Sequence, residues 1–276
     1  MPDYDNRRWS GPRPGDFQIM NIVFIGDVVG SAGVNALAEH LREIKREFGA
    51  DMVIVNGENS AEGNGIDARS AEAIYNAGAD VITTGNHSFR KHSIEAEYER
   101  RDTLLRPANF GENLPGKGVC ELDFGAYSVA VVNLIGTAFM QPVDNPFKCV
   151  ERLLEGISAR VIIVDFHAEA TSEKRAMGYF LAGRVSAVLG THTHVQTADE
   201  QIIDGTGYIT DVGMTGPRES VLGVEKDIII EKFVTYYPRR HVFASGECDI
   251  CGCCVTVDPK SGKCTEIRRF CKRCGK

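Results

Sequence analysis

Short apolar runs alternate with segments of helical periodicity along this chain of 276 residues, and few architectures accommodate that order. Asn21-Ile22-Val23-Phe24-Ile25, Asp51-Met52-Val53-Ile54-Val55, Asp80-Val81-Ile82-Thr83-Thr84 and residues 127–135, 161–166 and 185–189 read as buried strands. After the first of them, Val34, Leu37, Ala38, Leu41, Ile44 and Phe48 recur at spacings of three and four, which marks a helix with one buried face. Helical stretches are also predicted over 67–77, 146–154 and 173–181. Strand alternating with helix predicts a parallel, layered α/β architecture, in which the loops after the strand C-termini gather at one edge. Further on, 201–204 and 208–211 read as a hairpin around Gly205-Thr206-Gly207, and 227–233 reads as a late strand.

The polar residues fall at that shared edge. Asp27 follows the first strand, Glu58-Asn59 the second, Asn86-His87 the third, His167 the strand over 161–166, and His192-Thr193-His194 the strand over 185–189. On an extended segment two histidines two residues apart point the same way, so both reach one metal ion or each serves one of two neighbouring ions. Singly, each has a plainer role: Asn86 and Asp27 make good helix N-caps, and His167 an ordinary core or loop residue. Together they supply too many ligands for one tetrahedral ion. Imidazole and carboxylate donors in this number suit two ions of zinc, iron or manganese sharing a bridging carboxylate, the arrangement that clamps an in-line displacement at phosphorus.

Several other classes are excluded or weakened. Gly26, Gly30 and Gly33 do not make a dinucleotide fingerprint, and Asp27 would face a pyrophosphate with negative charge. A net charge of −7, from 31 basic and 38 acidic residues, argues against a surface that coats nucleic acid. There is no apolar run of about 18 residues, so no membrane span is expected. Residues 1–19 lack the apolar core of a secretory leader and read as a disordered extension, which makes a cytoplasmic location the expectation.

The motifs Gly26-Asp27, Asn56-Gly57-Glu58-Asn59, Gly85-Asn86-His87, His167-Ala168-Glu169-Ala170-Thr171-Ser172-Glu173-Lys174, Gly190-Thr191-His192-Thr193-His194 and Ile209-Thr210-Asp211-Val212-Gly213 resemble the calcineurin-like metallophosphoesterases. Within them they are similar to the bacterial YmdB-like branch of 2′,3′-cyclic-nucleotide 2′-phosphodiesterases. The resemblance covers about residues 20 to 267. It implies a layered metallophosphoesterase sandwich with helices flanking β-sheets, here over 20–245. It also implies one ion held by Asp27, Glu58 and His194, and a second held by Glu58, Asn86, His167 and His192. Asn59 would lie near the metals, and His87 would be the proton donor. The implied reaction is hydrolysis of 2′,3′-cyclic nucleotides to 3′-nucleotides, or of related phosphoesters, by attack of a hydroxide bridging two iron or manganese ions, zinc being the third choice. A small phosphodiester substrate and a homo-oligomeric state are expected with it. The sequence departs from the branch after His87, where Ser88-Phe89-Arg90 stands in place of a Trp-Asp pair. Arg90 puts a cation there and is a candidate phosphate contact.

Seven of the nine cysteines lie between Cys248 and Cys274. Residues 246–276 read as a Cys-rich hairpin turning at 258–262, with Cys248, Cys251, Cys271 and Cys274 brought together as a four-thiolate zinc ribbon. Its basic residues Arg268, Arg269, Lys272 and Arg273 are candidate RNA contacts. A second function class follows from this end of the chain: a regulatory protein that keeps the fold and engages RNA or another protein. The intact ligand positions favour an enzyme.

Overall fold

A computed structural model describes residues 19–275, and the expected extension over 1–19 lies, but for Ile19, outside them. In chain order the strands are β1 (Met20–Ile25), β2 (Asp27–Val28), β3 (Met52–Asn56), β4 (Val81–Thr83), β5 (Val119–Asp123), β6 (Ser128–Ile135), β7 (Val161–His167), β8 (Ala187–Thr191), β9 (Gln201–Ile203), β10 (Thr206–Ile209), β11 (Met214–Pro217), β12 (Cys248–Asp258) and β13 (Lys263–Cys274). The helices are α1 (Gly30–Glu47), α2 (Ala68–Ala77), α3 (Glu95–Arg100), α4 (Pro146–Gly156), α5 (Thr171–Leu181) and α6 (Lys226–Thr235).

Two sheets stack. One runs β2-β11-β12-β1-β3-β4 with β13 beside β12, and the other runs β5-β6-β7-β8-β10-β9. β1, β3 and β4 are parallel, as are β6, β7, β8 and β10. Side-chain alternation explains the layers. Ile22, Phe24, Met52 and Ile54 meet Val129, Val131, Val161, Ile163 and Leu189 between the sheets, whereas Val23, Ile25, Val53 and Val55 pack beneath α1 and α2. Val132, Val164 and Val188 pack on the far face with Val150 of α4 and Met177 of α5. This mixed α/β body of two sheets with flanking helices agrees with the metallophosphoesterase fold. Among the described residues, no helix is long and apolar enough to cross a membrane.

Helix starts follow local chemistry. Asp67 and Ser70 close a reciprocal capping box on α2, and the Asn145 side chain accepts from the Phe147 and Lys148 N–H groups ahead of Pro146 in α4. One element differs from expectation: residues 227–233 lie in α6 and not in a strand. The β-branched run there has strand propensity, but among the described residues no sheet edge receives it, so its backbone groups are satisfied within a helix. Asp227 in the first turn and Lys232 in the last complement the helix dipole. Only Ile229 is buried, and Phe233 and Val234 are 70% and 75% exposed.

The cysteine-rich strands pair antiparallel, with Cys248 opposite Cys274 and Cys251 opposite Cys271, and β12 also pairs with β1 and β11. Cys248 and Cys251 are three residues apart on one strand and so face opposite sides. Cys248 and Cys274 are buried on the α1 side, whereas Cys251 lies against Gly213 and its Sγ is 3.4 Å from that of Cys271. The two pairs do not converge, which corrects the expected four-thiolate zinc site. Three of the four basic residues are engaged with the body. Arg269 pairs with Glu200 at 3.1 Å, Lys272 with Glu43 at 3.0 Å, and Arg268 covers the Phe48 ring.

Candidate metal centre

The parallel strands deliver their polar ends to one place. Glu58 follows β3, Asn86 and His87 follow β4, His167 closes β7, and the His192 loop follows β8. Asp27 opens β2, which lies beside β11. The Glu58 carboxylate is the hub. Its Oε1 lies 3.2 Å from His167 Nε2 and 3.3 Å from His87 Nδ1, and accepts from Asn59 Nδ2 at 3.1 Å. Its Oε2 accepts from the His87 N–H at 3.2 Å. His167 Nε2 also lies 3.0 Å from Asn86 Oδ1 and 3.0 Å from His192 Nδ1. Ligand-type atoms of Glu58, His167 and His192 all fall within 4.8 Å of one another.

Asp27 and His194 lie on the other side of this cluster. Asp27 Oδ1 is 3.7 Å from His194 Nε2 and 3.8 Å from His167 Nδ1, while Oδ2 accepts from the His192 N–H at 3.1 Å. His194 Nε2 lies 3.3 Å from Asn59 Nδ2, and its Nδ1 3.1 Å from the Leu222 carbonyl. The two histidines do not alternate on an extended strand as the spacing suggested. β8 ends at Thr191, and His192 and His194 adopt φ values of 98° and 65°. Those turns send the two imidazoles to different partners.

Three supporting contacts involve residues in or beside the sequence motifs to which sequence pattern alone assigns no role. Thr191 Oγ1 donates to Asp165 Oδ1 at 2.7 Å and lies 2.9 Å from His167 Nδ1, so a buried carboxylate orients that ring through a hydroxyl. Burial raises the Asp165 pKa to about 6. Glu169 Oε2 sits 3.1 Å from His192 Nε2 and fixes the outward face of that imidazole. Thr193, between the two histidines, donates both its N–H and its hydroxyl to Asp211 Oδ2, which also receives Lys174 Nζ at 2.7 Å. Lys174 and Asp211 are 1% and 0% exposed. Lys174→Met should therefore leave a buried carboxylate uncompensated and lower unfolding stability by about 3–5 kcal/mol. Urea denaturation measures this, and an unchanged midpoint would show that the pair bears no such load.

The electrostatics suit a cation. Burial raises the Asp27 pKa and is opposed by His194 and His167. Burial also works against the Glu58 charge, but His167 and His87 outweigh it and hold that carboxyl well below the usual range. Burial and the neighbouring His167 push His192 down to about 3, so it stays a neutral donor. For His167, burial is overcome by Glu58, Asp27 and Asp165, and its pKa rises to about 9. That proton must leave before Nε2 can serve a metal. Metal affinity of the metal-free chain should thus climb about tenfold per pH unit towards pH 9. The sign for folding is opposite: stability from the charged ring is complete below the unfolded value of about 6.5 and fades as pH rises through 9. Competition with a chromophoric chelator between pH 6.5 and 9 reads the first effect, and a pH-independent affinity would refute it.

The residues fit divalent metal ions on two observations. Asp27 Oδ1 is buried with no hydrogen-bond partner among the described residues, although the carboxylate sits among imidazoles. A Cβ at Gly85 would run into Glu58 Oε2 and the His167 ring, so the absence of a side chain there keeps the donors' space open. Arg90 is exposed on the wall of a cavity that Asn86 shares, and so lies at the rim and not among the donors.

The chain is 44% identical over 254 residues to the 2′,3′-cyclic-nucleotide 2′-phosphodiesterase of Bacillus subtilis, covering 91% of this chain and 96% of that protein. A crystal structure of a Thermus thermophilus protein titled hypothetical superposes with a TM-score of 0.88 at 38% identity, covering 93% of this chain and 100% of the other. A crystal structure titled as a novel phosphatase of Mycoplasma pneumoniae gives 0.89 at 34% identity, covering 94% and 95%. The sequence model of the YmdB-like proteins matches residues 23–270. With most of its length matched in sequence and its fold shared with these relatives, the chain belongs to the YmdB-like protein family.

Proposed function

We propose that this protein is a dinuclear metal-dependent phosphodiesterase that opens 2′,3′-cyclic nucleotides to 3′-nucleotides. The observation that carries this reading is the convergence of Glu58, His167 and His192 beside the unpartnered Asp27 oxygen. The activity named for the Bacillus subtilis relative supports it. Asp27, Glu58 and His194 would hold one ion, and Glu58, Asn86, His167 and His192 the other, with Asn59 bracing Glu58 and His194. The mixed nitrogen and oxygen donors suit iron, manganese or zinc. When bound, the ions supply Lewis-acid charge and make water a nucleophile near neutral pH.

The chain's own residues do the rest. Asn86 contributes a neutral oxygen, which leaves the site net positive towards an anionic phosphate. His87 Nδ1 lies 2.9 Å from Asn59 Oδ1, which orients the ring and leaves Nε2 to deliver a proton. That proton goes to the 2′-oxygen as its bond to phosphorus breaks, while the oxygen of water joins phosphorus and the 3′-ester stays. Arg90 offsets phosphate charge from the cavity rim. Incubating metal-loaded protein with 2′,3′-cyclic AMP and separating the products should give 3′-AMP. Exclusive 2′-AMP, or no turnover with iron, manganese or zinc, would refute the reading.

A further inference from the structure

Beside the candidate centre lies a cavity of about 770 Å³, and Asn86 belongs to both. That volume falls within the ~300–1,000 Å³ of small-molecule sites. Phe89 and Phe110, with ring centroids 6.1 Å apart, line it together with Leu114 and Pro142. Phe89 is braced by Tyr98 at 5.3 Å, so the aromatic wall is backed by packed rings. Leu114 remains 40% exposed, a large apolar side chain turned to an open space. Gln141 and Asp144 add an amide and a carboxylate to the same wall. The main chain of Asp144 is anchored at both groups: its N–H donates to the Asn109 carbonyl, and its carbonyl accepts from Asn109 Nδ2.

On the reading above, Arg90, which also lines the cavity, serves the scissile phosphate. A phosphate needs no apolar wall, and the Asp144 carboxylate disfavours a second anion there. A nucleobase fits both features. Its flat face gains contact area against aromatic and aliphatic side chains whatever its sequence identity, and its edge carries donors and acceptors. We propose that this cavity is the nucleobase subsite of the substrate: Phe89, Phe110 and Leu114 hold the ring face, and Gln141 and Asp144 meet its polar edge. The proposal rests on the phosphodiesterase reading above. Asp144 accepts from a donor on that edge, an exocyclic amino group or a ring N–H.

Gly111 offers a clean probe, because a Cβ there meets nothing within 4 Å and the residue lines the cavity. Gly111→Leu in the metal-loaded protein should raise KM for 2′,3′-cyclic AMP about tenfold, with kcat within about twofold of wild type. Hydrolysis of glycerol 1,2-cyclic phosphate, which carries no base, should be unchanged. Phe110→Ala should shift the ratio of the two KM values in the same direction by removing one face of the site. If both variants keep the wild-type ratio while the protein hydrolyses the cyclic nucleotide, the subsite is wrong and the enzymatic reading survives. Saturation-transfer NMR with adenosine gives a readout independent of turnover, and the signal on wild type should vanish in Gly111→Leu. If it does so in a protein that hydrolyses neither substrate, the phosphodiesterase reading falls and the base site stands. If adenosine gives no signal sensitive to Gly111→Leu and neither substrate is hydrolysed, both fall.

Discussion

Glu58→Gln is expected to strip the protein of metal and reduce phosphodiester turnover by more than about 10³-fold. The substitution keeps the volume of a fully buried side chain, so the core around β3 has no cavity to accommodate. What changes is charge and hydrogen-bond direction. Oε1 now receives Asn59 Nδ2 and faces the His167 and His87 rings, and Oε2 receives the His87 N–H. A Gln amide offers one acceptor where the carboxylate offers two, so its NH2 must point at a donor whichever way it is turned. The foremost of the three anions that raise the His167 pKa also disappears, and on the proposed reading the donor set loses the group shared by two ions. Elemental analysis should find fewer than two ions per chain, with circular dichroism like that of wild type. A folded variant that retains both ions would remove Glu58 from the bridging position.

The layered body and the ligand edge were legible because both depend on short-range pattern. Apolar runs of about five residues ended in Asp27, Glu58, Asn86 and His167, and parallel sheets place such ends side by side. Local pattern carries less about partners far away in sequence. Nothing around Lys174 signals that it will be buried against Asp211, nor that Asp211 will then tie down Thr193 between two histidines. The positive φ values of His192 and His194 have the same origin: residues from another part of the chain hold the loop in a conformation that strand alternation does not anticipate. Two other misreadings come from period. Ile228-Ile229-Ile230 has the composition of a strand but lies in a helix, because strand formation requires an edge to pair with. The cysteine spacing fits a ribbon when read as spacing alone, whereas a regular strand sends residues three apart to opposite faces.

Gly85 shows how a residue with no functional group shapes a site. Its motif reads as a ligand sequence through Asn86 and His87, yet the glycine is what permits Glu58 and His167 to approach β4. On the proposed reading the same strand end supplies the neutral donor Asn86, the acid His87 and, three residues later, Arg90 at the cavity rim. One loop would then join metal binding, proton delivery and substrate contact, which makes His87 separable from the metals only if its neighbours stay in place.

His87→Ala tests that separation. His87 is half-buried, and its contacts with Glu58 and Asn59 are made from Nδ1 and the backbone N–H. The backbone donor survives truncation, so both metals should remain. Loss of a positioned general acid costs about 10²–10⁴-fold, and turnover of 2′,3′-cyclic AMP should fall within that range. The dependence on leaving group is the sharper result. The 2′-alkoxide is a poor leaving group without a proton, whereas p-nitrophenolate departs as the anion. Methyl p-nitrophenyl phosphate should therefore lose less than about tenfold in the same variant. Equal losses on both substrates, with metal content at the wild-type level, would assign His87 to orienting Glu58 and Asn59 instead of to proton transfer. Loss confined to the cyclic nucleotide would place the proton on His87 Nε2, directed at the 2′-oxygen while Asn59 holds the opposite nitrogen.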